Sequence, residues 1–571
     1  MIILGLSAYY HDSSAALIIN GEIVAAALEE RFSRIKHDNS FPSEACKFCI
    51  KFANINPVDI DEVIFYEKPF EKFERIIQSH IFYAPCGIRQ FVHSMPIWLK
   101  DKLNMRKTLS KELFKSLGIK NNHIKFCNHH LSHAANAFFQ SGFTESGILV
   151  IDAVGEKATT SLFKGVGNII TLIKRQEYPN SIGLLYSAFT YFLGFRVNSD
   201  EYKVMGLAPY GDPECSQTKK IIEIIKDEIV SISKDGAIVI NDKQFSFMYK
   251  NRMVDDMKWE ILFGIKKREP YSEILQEHMN LAYAIQNITE EIVFKLAKTT
   301  MQLTDSKNLC ISGGCAMNCS SNGMVLRSNQ FDDIYIPYAP DDSGCSIGAA
   351  LAYYHIGLNQ KCNIENGTSY LGPSFTNKEI ESTLRSFGLK YSIHTYQNLN
   401  KIVSEHLISG RIIGWFQGRM ELGPRALGNR SILADPRIVD MKDRINLVVK
   451  FREGFRPFAP VVMIDFANQY FDLHNSDNKY MSFTYQCIKD DLPAITHIDK
   501  TSRAQLLRRS DNNKLYDLLG DFYSRTGCPV LLNTSFNIMG EPIVCTPKDA
   551  IKTFLSSGID VLVLNNYLIK K

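Results

Sequence analysis

Residues 2–28 read Ile2-Ile-Leu-Gly-Leu-Ser7, then Ala-Tyr-Tyr-His11-Asp12-Ser-Ser14, then Ala15-Ala-Leu-Ile-Ile19, Asn20-Gly21 and Glu22-Ile-Val-Ala-Ala-Ala-Leu28. Three short apolar runs bounded by turn formers predict three strands. Asn20-Gly21 supplies the hairpin turn, because both residue types accept the positive backbone angles that such a turn needs. The arrangement returns later: Gly147 to Ile151 ends at Asp152, Ala158 to Phe163 follows, and Asn168 to Lys174 comes after Gly165-Val-Gly167. Each triplet places a polar group, His11 or Asp12 in one and Asp152 in the other, where its first strand turns toward its second. The expected fold is α/β: an internally duplicated mixed sheet with helices around it and ligands in the cleft between its halves.

Working outward, apolar residues at three-to-four spacing predict helices over Ser43–Ala53, His130–Gln140, Glu277–Leu303 and Ser346–Tyr354. Periodicity fails between residues 355 and 370, where turn formers gather, and a fresh strand-and-helix pattern then runs to the end. The expectation is two domains, 1–358 and 359–571. A chain of 571 residues, 45% hydrophobic and 22% charged, has the composition of a soluble globular protein. Its 65 Lys and Arg against 61 Asp and Glu leave only +4, which argues against a large basic face for nucleic acid. The start has no basic leader and meets His11 and Asp12 before a membrane span could be completed, so neither export nor a membrane is expected. Thirteen cysteines in no regular framework read as reduced thiols in a cytoplasmic protein. The lone Cys46-Lys-Phe-Cys49 reads as helix positions turned toward the interior.

Four clusters could carry chemistry. In His129-His130-Leu-Ser-His133, residues 129 and 133 project about 40° apart on a helix, so both imidazoles can reach one ion. A helix start with solvated histidines is the plainer reading. Asp152 at a strand end favours the ion, since a carboxylate beside two imidazoles suits divalent iron, manganese or zinc. Ser312-Gly313-Gly314 follows the strand Asn308–Ile311 and can leave amide N–H groups for an anionic or nucleoside ligand, or be a tight structural turn. Pro340-Asp341-Asp342-Ser343-Gly344 has the same form, and either aspartate could be a ligand or a helix cap. The densest cluster lies in the second domain, Arg411-Ile-Ile-Gly-Trp-Phe-Gln-Gly-Arg419-Met-Glu421-Leu-Gly-Pro-Arg425-Ala-Leu-Gly-Asn-Arg430, with Lys450-Phe-Arg452-Glu453-Gly-Phe-Arg456 beyond it. Guanidinium groups held among Gly, Pro, Trp and Phe fit polyphosphate oxygens.

These motifs, together with Tyr10-His11-Asp12-Ser13-Ser14, Glu29-Glu30-Arg31-Phe32-Ser33-Arg34, Tyr202-Lys203-Val-Met-Gly-Leu-Ala-Pro-Tyr-Gly211, Arg456-Pro-Phe-Ala-Pro460 and Leu532-Asn533-Thr534-Ser535-Phe536-Asn537, span nearly the whole chain. In them the chain resembles the ATP-dependent O-carbamoyltransferases of the nodulation-protein U and cephalosporin-carbamoyltransferase type. The resemblance implies a TsaD-like N-terminal domain of the duplicated actin-like ATPase group and a YrdC-like C-terminal domain. The C-terminal domain would convert carbamoyl phosphate and ATP, the latter with Mg, into carbamoyl-adenylate. The N-terminal domain would hold that adenylate on a divalent metal, iron first with manganese or zinc as alternatives. It would then pass the carbamoyl group to a hydroxyl of a small-molecule acceptor such as a sugar or an antibiotic.

Carried over by position, the resemblance implies His129, His133, Asp152 and Asp342 as metal ligands, with Asp341 the alternative to Asp342. It implies His11 as general base and Gly313, Gly314 and Asn318 as adenylate contacts. Arg419, Lys450, Arg456, Arg503, Asn533 and Ser535 would be the ATP and carbamoyl-phosphate contacts. One departure stands out: Asp152-Ala153-Val154-Gly155-Glu156 occupies a place where the family commonly has Asp-Gly-x-Gly-Glu, and Ala153 restricts angles that Gly would allow. An internal passage between the domains is expected for an unstable adenylate. The segment Lys72 to Arg106, with Tyr83, Phe91, His93 and Trp98, is a candidate for acceptor contacts or for domain packing. A homodimer is left open.

Two other readings compete: threonylcarbamoyl transfer to tRNA, and a non-catalytic ATP-binding protein of the actin-like group. Charge distribution speaks against the first. From Arg411 to Arg456 there are ten Lys and Arg against five Asp and Glu, a local +5, so the rest of the chain carries −1 (4 − 5). The positive charge is concentrated where two phosphorylated substrates are expected.

Overall fold

The computed structural model describes residues 1–88, 91, 92, 95, 104–120, 123–362 and 367–571. Of the residues named for the acceptor, His93 and Trp98 lie outside the described residues. Two compact units emerge. One comprises Met1–Tyr9, Ser14–Val24 and Phe41–Asn366, and the other Tyr10–Ser13, Ala25–Ser40 and Gly367–Lys571.

The first unit is built on the duplicated triplets. Strands β1 (Ile2–Ser7), β2 (Ser14–Ile19), β3 (Glu22–Leu28), β4 (Glu62–Phe65) and β5 (Ile124–Phe126) are followed by β6 (Glu145–Ile151), β7 (Ala158–Val166) and β8 (Ile169–Glu177). A small hairpin, β9 (Val230–Ile232) and β10 (Ile238–Ile240), precedes β11 (Asn308–Ser312) and β12 (Asp333–Tyr335). The two five-stranded sheets have the orders β3-β2-β1-β4-β5 and β12-β11-β6-β7-β8. Read from the other edge, the second repeats the first strand for strand. Antiparallel β1–β2 matches antiparallel β6–β7, and parallel β1–β4–β5 matches parallel β6–β11–β12. This is the duplicated sheet of the actin-like ATPase group, and the repetition of order and sense carries that assignment. Gly165-Val-Gly167 is a turn only at its end: Gly165 stays in β7, opposite Ile170 of β8, and the turn falls at Gly167.

The helices lie close to their expected spans, at Ser43–Ala53, His129–Phe138, Gln276–Thr304 and Cys345–Ala352. Cys46 and Cys49 are buried on the first of them. The helices His129–Phe138 and Cys345–Ala352 meet at Gly348, where an added Cβ would fall 1.8 Å from the Ser132 carbonyl oxygen. Only glycine permits that approach, and it brings Asp342, just before the second helix, to the histidines of the first. No helix among the described residues is long and apolar enough to cross a membrane.

The second unit is mixed α/β around an eight-stranded sheet. Its strands are β13 (Ser392–Ile393), β14 (Ile413–Phe416), β15 (Arg430–Ala434), β16 (Ala459–Met463), β17 (Phe471–Asp472), β18 (Tyr485–Cys487), β19 (Thr501–Ser502), β20 (Gln505–Leu507), β21 (Val530–Ser535), β22 (Val561–Leu564) and β23 (Tyr567–Lys570). The large sheet runs β13-β23-β22-β14-β15-β21-β16-β20, and β17-β18-β19 form a small one. Antiparallel β14 and β15 leave residues 417–429 as a loop at one end of the sheet. Ser535 lies at that end, opposite Ser431. Residues 25–40 belong to this unit because Phe32 packs on the buried cluster of Met420, Ala426, Ile543 and Cys545, and Arg34 donates to the carbonyls of Pro542 and Ile543.

Candidate active site and metal centre

In the first unit, the helix His129–Phe138 starts where three backbone and side-chain donors converge on buried Glu156. Its carboxylate accepts the His129 N–H (2.9 Å), the Lys68 N–H (2.9 Å) and the Asn128 amide (3.1 Å). An anion at a helix N-terminus is favourable, and here it fixes the rotation of the helix. His129 and His133 then point the same way, with Nε2 atoms 3.2 Å apart. Asp152 Oδ2 lies 3.1 Å from His129 Nε2, and Asp342 Oδ1 lies 3.3 Å from His133 Nε2 and 3.6 Å from His129 Nε2. The other Asp152 oxygen accepts the Gly314 N–H at 3.3 Å.

The Gly-Gly turn is what allows this. Gly313 has φ 93°, and a Cβ there would sit 2.2 Å from the Ile151 carbonyl oxygen. Ala153, by contrast, does not adopt positive φ, so an alanine fits its backbone without strain where the resemblance implies a glycine. Of the aspartate pair, Asp342 faces the imidazoles, whereas Asp341 accepts the Ser343 N–H at 3.1 Å as the cap of the next turn. Asn318 caps the helix Cys319–Arg327 by accepting the Ser321 N–H (3.1 Å), and it exchanges hydrogen bonds with Gln286 (3.0 and 3.1 Å).

The electrostatics of the cluster suit a cation. Burial opposes protonation of His129, but the carboxylates of Asp342 and Asp152 outweigh it and carry the imidazole up to about 9. Asp152 is held well below the usual carboxylate range, its burial outweighed by His129 and then His133. Two facing ring nitrogens cannot donate to each other, and the two carboxylates supply acceptors only; a divalent ion is one occupant that would satisfy the whole set. Cys345, missed in the sequence, joins it: His129, His133, Asp342 and Cys345 each offer a ligand atom within 4.8 Å of the others, and all four are buried. Its signal was present as Asp342-Ser-Gly-Cys345, one helical turn apart. His130 points elsewhere, to Ser161 Oγ at 2.8 Å, and burial pushes it down to about 3.

The first unit also holds a cavity of about 1460 Å³, lined by Lys68, Phe70, Arg106, Lys111, Phe114 and Phe126 among others and by none of the residues of the cluster. The aromatics named for the acceptor are engaged in packing where they are described: Tyr83 against Tyr249 (5.8 Å) and Phe91 against His80 (5.1 Å).

In the second unit, the Lys450 ammonium is buried and ringed by oxygens of neutral groups. It donates to the Ser535 carbonyl, Ser535 Oγ (3.1 Å), the Asn537 carbonyl (3.1 Å) and Asn537 Oδ1 (2.9 Å). Burial, then Arg452, Arg456 and Lys36, hold it well below the usual lysine range. Asn533 is buried on the same face of β21; its amide donates to Gln505 Oε1 (2.8 Å), while its own Oδ1 has no partner. Arg456 lies 3.8 Å from Glu453, and Arg503 is half-buried between β19 and β20. Arg419 donates to the carbonyls of Leu371 (2.6 Å) and Gly372 (3.4 Å).

The dense motif is thus partly structural. Glu421 accepts the N–H groups of Leu427, Asn429 and Arg430, and Arg430, fully buried, donates to the carbonyls of Gln417, Gly418, Asn429 and Pro373 and stacks on Phe416 at 3.6 Å. His11, in the short Tyr10–Ser13 segment of this unit, has Nδ1 2.9 Å from Asp12 Oδ2. A second acidic grouping, Asp12, Glu30 and His37, brings donor atoms together, but imidazole, amide and guanidinium donors already occupy its carboxylates.

A duplicated actin-like sheet carrying a buried His–carboxylate centre, joined to a unit with an anion-ready lysine, defines an α/β protein with the parts of a group-transfer enzyme. The chain belongs to the carbamoyltransferase family: the model of the carbamoyltransferase N-terminus matches residues 2–351 and that of the C-terminus residues 404–571. An uncharacterised protein of Synechocystis sp. is 42% identical over all of this chain and 96% of its own length. Nodulation protein NolNO of Sinorhizobium fredii is 37% identical over 99% of this chain and 79% of its own. Nodulation protein U of Rhizobium tropici is 26% identical over 93% and 90%. Among solved structures, component A of the (R)-2-hydroxyglutaryl-CoA dehydratase of Acidaminococcus fermentans covers 63% of this chain and 99% of its own, at 13% identity and a TM-score of 0.31. At that score the likeness carries no weight, and the fold rests on the strand orders.

Proposed function

We propose that the chain is an ATP-dependent O-carbamoyltransferase, with the C-terminal part, residues 359–571, making carbamoyl-adenylate and the N-terminal part, residues 1–358, transferring the carbamoyl group to a small-molecule hydroxyl. The observation that carries this reading is Lys450. A buried amine whose partners are neutral oxygens, with Arg452, Arg456 and Lys36 nearby, has no counter-charge among them, so its ammonium form is disfavoured until a polyphosphate supplies the missing negative charge.

Carbamate, released with phosphate when water cleaves carbamoyl phosphate, is a weak nucleophile approaching an anion. Its oxygen bonds to the α-phosphorus of ATP, the bond to the β-phosphate bridge breaks, and pyrophosphate leaves. Lys450, Arg456 and Arg503 would offset the charge at that moment, with Asn533 Oδ1 and Ser535 orienting the carbamate and Arg419 supporting the loop beside them. The acceptor oxygen then bonds to the carbamoyl carbon, AMP leaves, and His11 takes the proton. His129, His133, Asp152 and Asp342 would hold a divalent ion, iron, manganese or zinc, which when bound supplies Lewis-acid polarisation of the carbamoyl or phosphate oxygen. Gly313 and Gly314 would leave backbone room for the adenosine portion, with Asn318 holding the helix behind it. The test is pyrophosphate release from ATP: it should require carbamoyl phosphate, and incubation with a panel of polyhydroxylated acceptors should give a mass gain of one carbamoyl group. Pyrophosphate release indifferent to carbamoyl phosphate would overturn the reading.

A further inference from the structure

Asp12 stands between two imidazoles. His11 Nδ1 lies 2.9 Å from its Oδ2, and His37 Nδ1 lies 2.8 Å from its Oδ1. The two histidines are far apart in sequence, and His37 is held in place by its own set of contacts. Its backbone N–H donates to Glu30 Oε2 at 2.9 Å, Glu30 Oε1 pairs with buried Arg31 at 2.8 Å, and Arg31 donates to the Gly423 carbonyl at 2.8 Å. Ser13 N–H donates to the Asp38 carbonyl at 2.9 Å, which ties the His11 segment to the His37 turn from the other side. Asp12 and His37 both adopt positive φ, 51° and 56°. Side chains pay for that conformation, and it persists where surrounding contacts over-determine it.

Each oxygen of the carboxylate therefore serves one ring. With a carboxylate at Nδ1, each imidazole carries its proton on Nδ1 and presents Nε2 as its basic nitrogen. Burial would raise the Asp12 carboxyl, but His11 and His37 outweigh it and keep the group ionised. Both rings are about a quarter exposed, 27% and 28%, so dissolved molecules reach them while Asp12 at 14% is screened. Of the charges beside it, Glu30 and Arg31 are paired with each other.

We propose that His37 is a positioning residue for His11, acting through the shared Asp12 carboxylate: it fixes the plane of the carboxylate and draws off part of its charge, so that His11 stays neutral and able to accept a proton near neutral pH. The functional side of this inference rests on His11 as the base of the proposed transfer. There, the acceptor oxygen bonds to the carbamoyl carbon, the bond to AMP breaks, and the proton goes to His11 Nε2, leaving an imidazolium that Asp12 stabilises. Without the His37 donor, Asp12 gives its full charge to His11, the imidazolium is favoured, and the ring needs a higher pH to become neutral.

The test is histidine NMR on the full chain with ring-labelled histidine, the His11 resonance being assigned by its loss in His11→Asn. In His37→Gly, which accepts positive φ without strain, the titration midpoint of His11 should rise by about half to one pH unit, a three- to tenfold change in its ionisation equilibrium. In His37→Asn, whose amide can replace the Nδ1 donor and also tolerates positive φ, the midpoint should stay within about 0.2 units of wild type. Should the glycine variant fail to fold, His37→Ser, too short to reach Oδ1, is expected to show the same rise. An unmoved midpoint in the glycine or serine variant overturns the proposal, as does an equal rise in the asparagine variant, which would show that only the bulk of the ring matters. Neither result depends on carbamoyl transfer. Failure of carbamoyl-phosphate-dependent pyrophosphate release would instead remove the proposed function and leave a moved midpoint standing as evidence of the coupling.

Discussion

His129 and His133 face each other across one helical turn with their Nε2 atoms 3.2 Å apart, and Asp342 Oδ1 approaches both, at 3.6 and 3.3 Å. Ring nitrogens held this close, in a buried place beside carboxylates, form a donor set that a divalent cation would fit.

Metal content should follow this geometry. Purified protein is expected to carry a divalent metal that His133→Ala and Asp342→Asn lose and Asp341→Asn keeps, measured by elemental analysis. Cys345→Ser should weaken zinc more than manganese, because a thiolate favours the softer ion. Equal retention in Asp342→Asn and wild type would remove Asp342 from the ligand set.

Two buried basic residues of the second unit should differ in what they lose. Lys450→Met is expected to abolish carbamoyl-phosphate-dependent pyrophosphate release, a loss of about a hundredfold or more, while the thermal midpoint falls only slightly, since stranding the Ser535 and Asn537 acceptors is offset by removing a buried amine with no counter-charge. Arg430→Met should instead destabilise by about 3–5 kcal/mol in urea unfolding, because it strands the loop carbonyls that the guanidinium serves.

The strand-to-helix turns give a pair of opposite outcomes. Gly313→Ala, which forces a Cβ against the Ile151 carbonyl at positive φ, should cost about 2–4 kcal/mol and with it the metal. Ala153→Gly, although it restores the residue common in the family, should cost only about 0.5–1 kcal/mol through chain entropy, and metal binding should be unchanged.

Acid stability should report His130. Buried against Ser161, it stays neutral in the folded chain down to about 3, whereas the unfolded chain binds the proton near the ordinary 6.5. The folded value is depressed, so the contribution is fully present above pH 6.5 and is lost as pH falls toward 3. The slope is about 1.4 kcal/mol per pH unit within that window. His130→Gln, which can keep the Ser161 bond without titrating, should flatten that part of the stability profile in urea titrations at stepped pH.

Much of the architecture is local in origin and could be read from residues 2–28 and 147–174. Alternating apolar runs with Asn-Gly and Gly-rich turns specify strands wherever they occur, and two copies of one pattern specify two copies of one sheet. His129-x-x-x-His133 was legible for the same reason, since helical spacing alone brings the two rings to one face. Contacts made over long sequence separations were not legible. Which aspartate of 341 and 342 turns inward depends on how Gly348 lets one helix settle on another, and Cys345 joins the cluster through the same packing. His37 meets Asp12 only because Arg31 and Glu30 hold a turn against residues near position 423. The arginine cluster that includes Arg430 reads as fitted to polyphosphate by composition, yet the fold uses Arg430, with Glu421, to build the loop, because a buried turn must satisfy its own carbonyls and amides before it can bind anything else. Spacing along the chain reports which side chains share an element, and the choice among neighbouring polar residues is made by packing between elements, which one-dimensional spacing does not contain.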